Sequence, residues 1–132
     1  MIAAVFDTNI LISSIFWRGP PYKLMQEVIR GRILHFTSPF ILAEVRKVLE
    51  EDFSLPTEKI DEHIEVILSN SILLTPEKSI SAILEDDSDN RILECAVSGQ
   101  VDIVSGDKHL LKLKKHETTK IVTASEMLKI LP

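Results

Sequence analysis

Short runs of consecutive apolar residues alternate along this chain with longer stretches in which apolar residues recur every third or fourth position. The first run, Ile2 to Phe6, is apolar throughout and stops at Asp7, as a strand buried on both faces of a parallel sheet does. Residues 8–15 carry Ile10, Leu11, Ile12 and Ile15 and predict a short helix, broken at Gly19-Pro20-Pro21. A second helix is expected from Pro21 to Arg30, with Leu24, Val28 and Ile29 inward and Gly31 as its C-cap.

Ile33 to Thr37 predicts the next strand, and Ser38-Pro39 an N-cap followed by proline at the first helical position. The helix beyond carries Phe40, Ile41, Leu42, Val45, Val48 and Leu49. Thr57 is placed to cap a helix with Ile60, Ile64, Ile67 and Leu68 on one stripe. A short strand over 71–74 stops at Pro76. The segment Asp86-Asp87-Ser88-Asp89 opens a helix ending at Gly99. A strand over 102–105, a short helix with Leu110, Leu111 and Leu113, a strand over 120–122 and a helix over 125–131 complete the chain. Strands alternating with amphipathic helices predict an α/β fold, a parallel sheet flanked by helices on both faces. With no repeat and no linker-like stretch, residues 1–132 read as a single domain.

Composition narrows the function classes. The 45% of hydrophobic residues excludes global disorder. No apolar run approaches the roughly 20 residues that span a bilayer, and the N-terminus lacks the basic region of a signal peptide. A lone cysteine, Cys95 among Ile92, Leu93, Ala96 and Val97, precludes an intrachain disulfide and reads as a small buried hydrophobe. These features suit a cytoplasmic protein with no membrane partner. The net charge of −5 argues against phosphate neutralisation as the main source of affinity for nucleic acid. A metal and local basic patches must supply positive charge if the partner is RNA.

Four carboxylates carry the candidate chemistry. Asp7 follows the first strand, where an aspartate ordinarily caps a helix, and Thr8 and Asn9 suit a helix start equally well. Glu44 lies three residues after Ile41 and four before Val48, so it borders the core face of its helix. Asp89 sits in a first helical turn, where acids favour the dipole, and shares a face with Ile92 and Leu93. Asp107 follows a strand and precedes a helix, with Ser105 two residues earlier. Each has a structural explanation. Together they fall where open parallel sheets bind ligands, beyond the carboxyl ends of the strands. Carboxylates gathered there repel one another unless a hard cation such as Mg²⁺ or Mn²⁺ joins them. The histidines His35, His63, His109 and His116 are scattered, which disfavours zinc.

The chain resembles the PIN-domain family, in particular VapC-like toxins of toxin–antitoxin modules. The matching pieces are Val5-Phe6-Asp7-Thr8-Asn9-Ile10-Leu11, Ala43-Glu44-Val45, Asp87-Ser88-Asp89-Asn90-Arg91-Ile92-Leu93-Glu94-Cys95-Ala96 and Ile103-Val104-Ser105-Gly106-Asp107. They occur in order over nearly the whole chain. The resemblance implies a Rossmann-like sheet and a ribonuclease dependent on Mg²⁺ or Mn²⁺. It implies catalytic roles for Asp7, Glu44, Asp89 and Asp107, with Asp7, Asp89 and Asp107 on the metal. Thr8, Asn9, Asp87 and Ser105 are expected as supporting residues. His109 stands where related sequences often carry a second acid. The resemblance also implies a homodimer and a cognate antitoxin. The apolar stretch Ile10-Leu11-Ile12 with Ile15, Phe16 and Trp17 adds to the expectation of a dimer.

Beside the motif segments, Arg18, Lys23, Arg46 and Lys108 are candidates for guiding RNA, although each also reads as an ordinary solvated charge. A haloacid-dehalogenase-like phosphatase would want a second aspartate at position 9, where Asn9 stands. A receiver domain would want an acidic pair before Asp7. The remaining alternative is an inactive PIN-like module that binds RNA or protein.

Overall fold

The structure, a computed structural model, describes residues 1–83 and 86–132. Among the described residues six strands form one sheet in the order β3-β2-β1-β4-β6-β5. They are β1 (Ile2–Phe6), β2 (Ile33–Thr37), β3 (Ser71–Leu73), β4 (Asp102–Val104), β5 (Lys115–His116) and β6 (Thr119–Val122). All neighbours are parallel except β5 and β6, which form an antiparallel hairpin absent from the sequence reading. Two residues of β5, Lys115 and His116, are too few for any alternation to register.

Among the described residues there are seven helices, α1 (Thr8–Phe16), α2 (Pro20–Ile29), α3 (Pro39–Glu51), α4 (Thr57–Ser69), α5 (Asp87–Gly99) and α6 (Lys108–Leu113) between strands and α7 (Ala124–Ile130) after the last. From β1 the chain steps through β2 to β3 on one side, then crosses back to β4 and on to β6 on the other. Crossovers of this kind are right-handed as a rule, which assigns α1–α4 and α5–α6 to opposite faces, while α7 packs back against α2. α5 packs on β1, β2 and β4, α2 on β2, and α6 on β6. The strand order reverses between β1 and β4, and the crevice beyond that reversal is where such sheets bind ligands.

Local chemistry explains the element ends. Gly31 adopts φ +79, a left-handed conformation that side chains avoid. Its N–H reaches the Val28 carbonyl and that of Arg32 reaches Glu27, which together close α2 in a Schellman motif. At Gly99 the requirement is different. The left-handed residue that ends α5 is Gln100, and a Cβ on Gly99 would meet Leu74 at 3.0 Å and Phe36 at 3.5 Å. Close packing, not helix termination, distinguishes that position. Thr57 is the first helical residue of α4 and Pro56 holds the cap position without a side-chain bond. α7 begins one residue earlier than expected, because Thr123 and Glu126 form a capping box.

Ala4, Val5, Phe6, Ile103 and Val104 fill the centre of the sheet, with Leu11, Leu24, Ile41, Leu49, Leu93 and Leu110 packed from the helices. His35 is fully buried, with Nδ1 beside the Ser71 hydroxyl at 2.6 Å and Nε2 accepting from the Phe6 N–H at 3.3 Å. Loss of hydration pushes its pKa down to about 3, so it is a neutral core histidine. Burial likewise pushes the Cys95 thiol up to about 12, and the side chain acts as a core hydrophobe. Among the described residues no helix is long and apolar enough to cross a membrane.

Candidate active site

Two strand ends and the starts of three helices meet at the crevice. β1 ends at Phe6, and Asp7 becomes the N-cap of α1, accepting from the Ile10 N–H at 2.8 Å. Its other oxygen accepts a short hydrogen bond from the Ser105 hydroxyl. β4 ends at Val104, and Asp107 caps α6 by accepting from the N–H groups of His109 and Leu110 at 2.9 and 3.2 Å. Ser105, fully buried, links the two strand ends. Its hydroxyl donates to Asp7 and accepts from the Asp107 N–H at 2.9 Å.

α5 supplies the opposite wall. Asp86 is its N-cap and accepts from the Ser88 N–H at 2.9 Å. Asp89, one turn in, is only 5% exposed and faces the crevice. α3 contributes Glu44, which accepts from the Thr8 hydroxyl at 2.8 Å. The resulting cleft of about 160 Å³ is lined by Asp7, Thr8, Asn9, Glu44, Asp86 and Asp89, together with Ser88, Asp107, Val48 and Ile92. A larger groove of about 480 Å³ runs along α2 past Lys23, Arg30, Arg32 and Leu131, but its carboxylate, Glu27, is already paired with both arginines. The chemistry lies in the smaller space.

The tightest acidic cluster is Asp86, Asp89 and Asp107, with one oxygen of each within 4.8 Å of the others. The structure thus brings Asp7, Glu44, Asp89 and Asp107 to one cleft, along with Thr8 and Asn9, and places Ser105 beneath them. It does not bring Asp87. That side chain turns to solvent and bonds Arg91 at 3.3 Å, one helical turn away. Asp86 stands in its place, because the residue before the first helical turn keeps an extended backbone that points its carboxylate across the helix start. The sequence signal was present, since consecutive acids at a helix start cannot all face one way, but which one faces inward depends on where the helix begins. The basic candidates lie outside the cleft. Arg18 stacks over the Tyr22 ring at 4.3 Å, Lys23 lines the α2 groove, and Arg46 pairs with Asp61 at 2.9 Å. Lys108 is exposed next to Asp107 in the chain.

The electrostatics are those of too many carboxylates for the donors at hand. Burial pushes the Asp7 pKa up to about 6, opposed by the Ser105 and Ile10 hydrogen bonds and assisted by the charges of Asp107 and Glu44. Asp89 is pushed up further, to about 8, by burial first and then by Asp107, Asp86 and Asp7. Its Oδ2 is buried and has no donor among the described residues. With both carboxylates ionised, Asp107 only repels it. Asp107 raises the Asp89 pKa first through its charge and then through a hydrogen bond to the protonated form. A hard cation satisfies the Asp89 oxygen equally well, and an all-oxygen set of three aspartates around an unpartnered buried oxygen fits Mg²⁺ or Mn²⁺ chemistry.

This geometry is that of a nuclease fold of the PIN type. Residues 3–109 match the PIN domain family, and the chain belongs to it. The family consists of metal-dependent nucleases. The uncharacterized protein MJ1680 of Methanocaldococcus jannaschii is 28% identical over 123 residues, covering 86% of this chain and 76% of that protein. VapBC-1 from nontypeable Haemophilus influenzae superposes with a TM-score of 0.67 at 17% identity, covering 94% of this chain and 99% of that one. VapBC2 from Rickettsia felis, solved bound to a DNA fragment from its promoter, gives 0.65 at 17% identity, covering 92% and 98%. At such identities these structures share the fold with this chain.

Proposed function

We propose that the protein is an endoribonuclease dependent on Mg²⁺ or Mn²⁺ and the toxin of a toxin–antitoxin module. The observation that carries the metal is the buried Asp89 Oδ2, which lacks a donor beside Asp86 and Asp107. In this reading Asp86, Asp89 and Asp107 hold the ion, and Asp7 borders it from the end of β1. When bound, the ion supplies Lewis-acid charge to the scissile phosphate and lowers the pKa of water at the site.

The chain's own residues do the rest. Ser105 fixes the Asp7 carboxylate and the Asp107 backbone at once, so both walls keep one geometry. Thr8 orients Glu44 at the cleft edge. Glu44 lies outside the aspartate triad and takes the proton as water adds to phosphorus. The P–O3′ bond breaks and the departing O3′ takes a proton from solvent, leaving a 5′-phosphate and a 3′-hydroxyl. No 2′-hydroxyl takes part. Asn9, exposed at the rim, is placed to touch the substrate.

Likeness to the VapBC assemblies supports an antitoxin partner. An aromatic cluster supports a homodimer. Phe16 stacks on Phe53 at 4.0 Å, and Trp17 packs edge-on to both while remaining 57% exposed. A monomeric mass in light scattering at tens of micromolar would dispose of the dimer.

The test of activity is cleavage of RNA by purified protein with Mn²⁺, against Asp7→Asn prepared identically. Wild type is expected to cleave and Asp7→Asn to fall by at least about a hundredfold. Equal cleavage by both would assign the activity to contamination and the domain to binding.

A further inference from the structure

The segment between β3 and α5 has neither helix nor strand over its described residues, 74–83 and 86. Its backbone groups find partners on side chains of α5. Asn90 Oδ1 accepts from the Ile83 N–H at 2.8 Å, and Asn90 Nδ2 donates to the Ile83 carbonyl at 2.6 Å. One turn on, Glu94 accepts from the Ile80 N–H at 2.8 Å, and Arg91 donates to the Ile80 carbonyl at 3.0 Å. Arg91 and Glu94 are themselves joined at 2.6 Å. Two residues of the strap are thus each gripped at both N–H and C=O, as a neighbouring strand would grip them.

Asn90 is 2% exposed, so this is a buried contact and not a surface accident. Only a carboxamide offers an acceptor and a donor side by side in that space. An aspartate would leave the Ile83 carbonyl without its donor. The strap leads within three residues to Asp86, whose carboxylate must stay near those of Asp89 and Asp107. Like charges push it away. On the helix side its carboxylate accepts from the Ser88 N–H at 2.9 Å and its backbone carbonyl from the Asp89 N–H at 3.2 Å, so the strap sets the approach of the chain from the other side.

We propose that Asn90 is the positioning residue that keeps Asp86 in the acidic triad by clamping Ile83, with the Arg91–Glu94 pair at Ile80 as the second fastening. The inference rests on the metal-site reading above. Asn90 itself touches neither ion nor substrate.

The experiment compares wild type, Asn90→Ala, Glu94→Gln and Asp89→Asn below their melting temperatures. Free Mn²⁺ is measured by electron paramagnetic resonance, and amide hydrogen exchange is followed in chelator. Wild type is expected to bind Mn²⁺ and Asp89→Asn to lose it. Asn90→Ala is expected to bind about tenfold more weakly, the scale of losing an outer partner of a metal ligand. Its Ile83 and Ser88 amides should exchange faster, with those of β1 and β4 unchanged. Glu94→Gln keeps an acceptor for Ile80, and a smaller weakening is expected. It also serves if Asn90→Ala does not fold. Unaltered Mn²⁺ affinity in a folded Asn90→Ala overturns the proposal, as does unaltered exchange at Ile83 and Ser88. Failure of wild type to bind Mn²⁺ overturns the metal reading instead, and the exchange data then judge the clamp alone.

Discussion

Asp7 and Asp89 line one cleft and are buried to nearly the same degree, yet their surroundings differ. Asp7, at the end of β1, has a donor for each oxygen, the Ile10 N–H and the Ser105 hydroxyl. Asp89, at the start of α5, keeps an oxygen with no donor among the described residues and faces Asp107 and Asp86. Burial raises both pKa values, and the hydrogen bonds at Asp7 hold it to about 6 while Asp89 climbs to about 8. The β1 wall is therefore satisfied by the protein itself. The α5 wall leaves a buried oxygen unmet, and in the proposed function a cation would supply the missing positive charge. A fold that only needed to be stable would place a hydrogen-bond donor opposite Asp89.

The largest expected effect comes from removing that deficit. Asp89→Asn deletes an unpaired buried charge and supplies a donor to Asp107. In chelator at pH 8 it should stabilise the protein by ~1–3 kcal/mol, and added Mn²⁺ should no longer raise its melting temperature. A variant less stable than wild type under these conditions would show that the oxygen is already satisfied.

The pH profile separates the two walls next. Both groups have folded pKa values above the ordinary 3.8, so the fold favours their protonated forms. Their contribution to metal-free stability is complete below about pH 4. It is lost as pH rises, by about 6 for Asp7 and about 8 for Asp89. Denaturant melts in chelator should therefore weaken progressively as pH rises across this window. Saturating Mn²⁺ should reverse the trend, since the ion binds the ionised carboxylates. A flat chelator profile would remove the contrast.

Ser105→Ala probes the satisfied wall. It takes a donor from Asp7 and an acceptor from the Asp107 N–H, and a loss of ~1–2 kcal/mol is expected at pH 7. Nuclease activity should fall more than stability does. The smallest effect is expected at the basic residues outside the cleft. Arg46→Glu breaks an exposed pair with Asp61 and should cost below ~1 kcal/mol. Reversing Arg18, Lys23, Arg46 and Lys108 together tests whether they guide RNA. An unaltered salt dependence of binding would take them out of the interface.

Periodicity and punctuation along the chain already determined most of the fold. The apolar run of β1 and the helical spacing of α3 and α5 each follow from side chains that must be buried along one line or one stripe. The same spacing turned Glu44 and Asp89 toward the core, and the strand ends delivered Asp7 and Asp107 to the cleft. What the tertiary structure decided is of another kind. That Asp86 and not Asp87 joins the triad depends on the residue at which α5 starts. That Gly99 lies in tight packing depends on Leu74 and Phe36, twenty-five and sixty-three residues away along the chain. The Asn90 grip on Ile83 and the Ser105 bridge between β1 and β4 likewise join groups whose proximity no local pattern records. Local periodicity registers which way a side chain faces relative to its own element. Whether a buried carboxylate finds a donor or another carboxylate opposite depends on elements distant in sequence, and that difference sets Asp89 apart from Asp7.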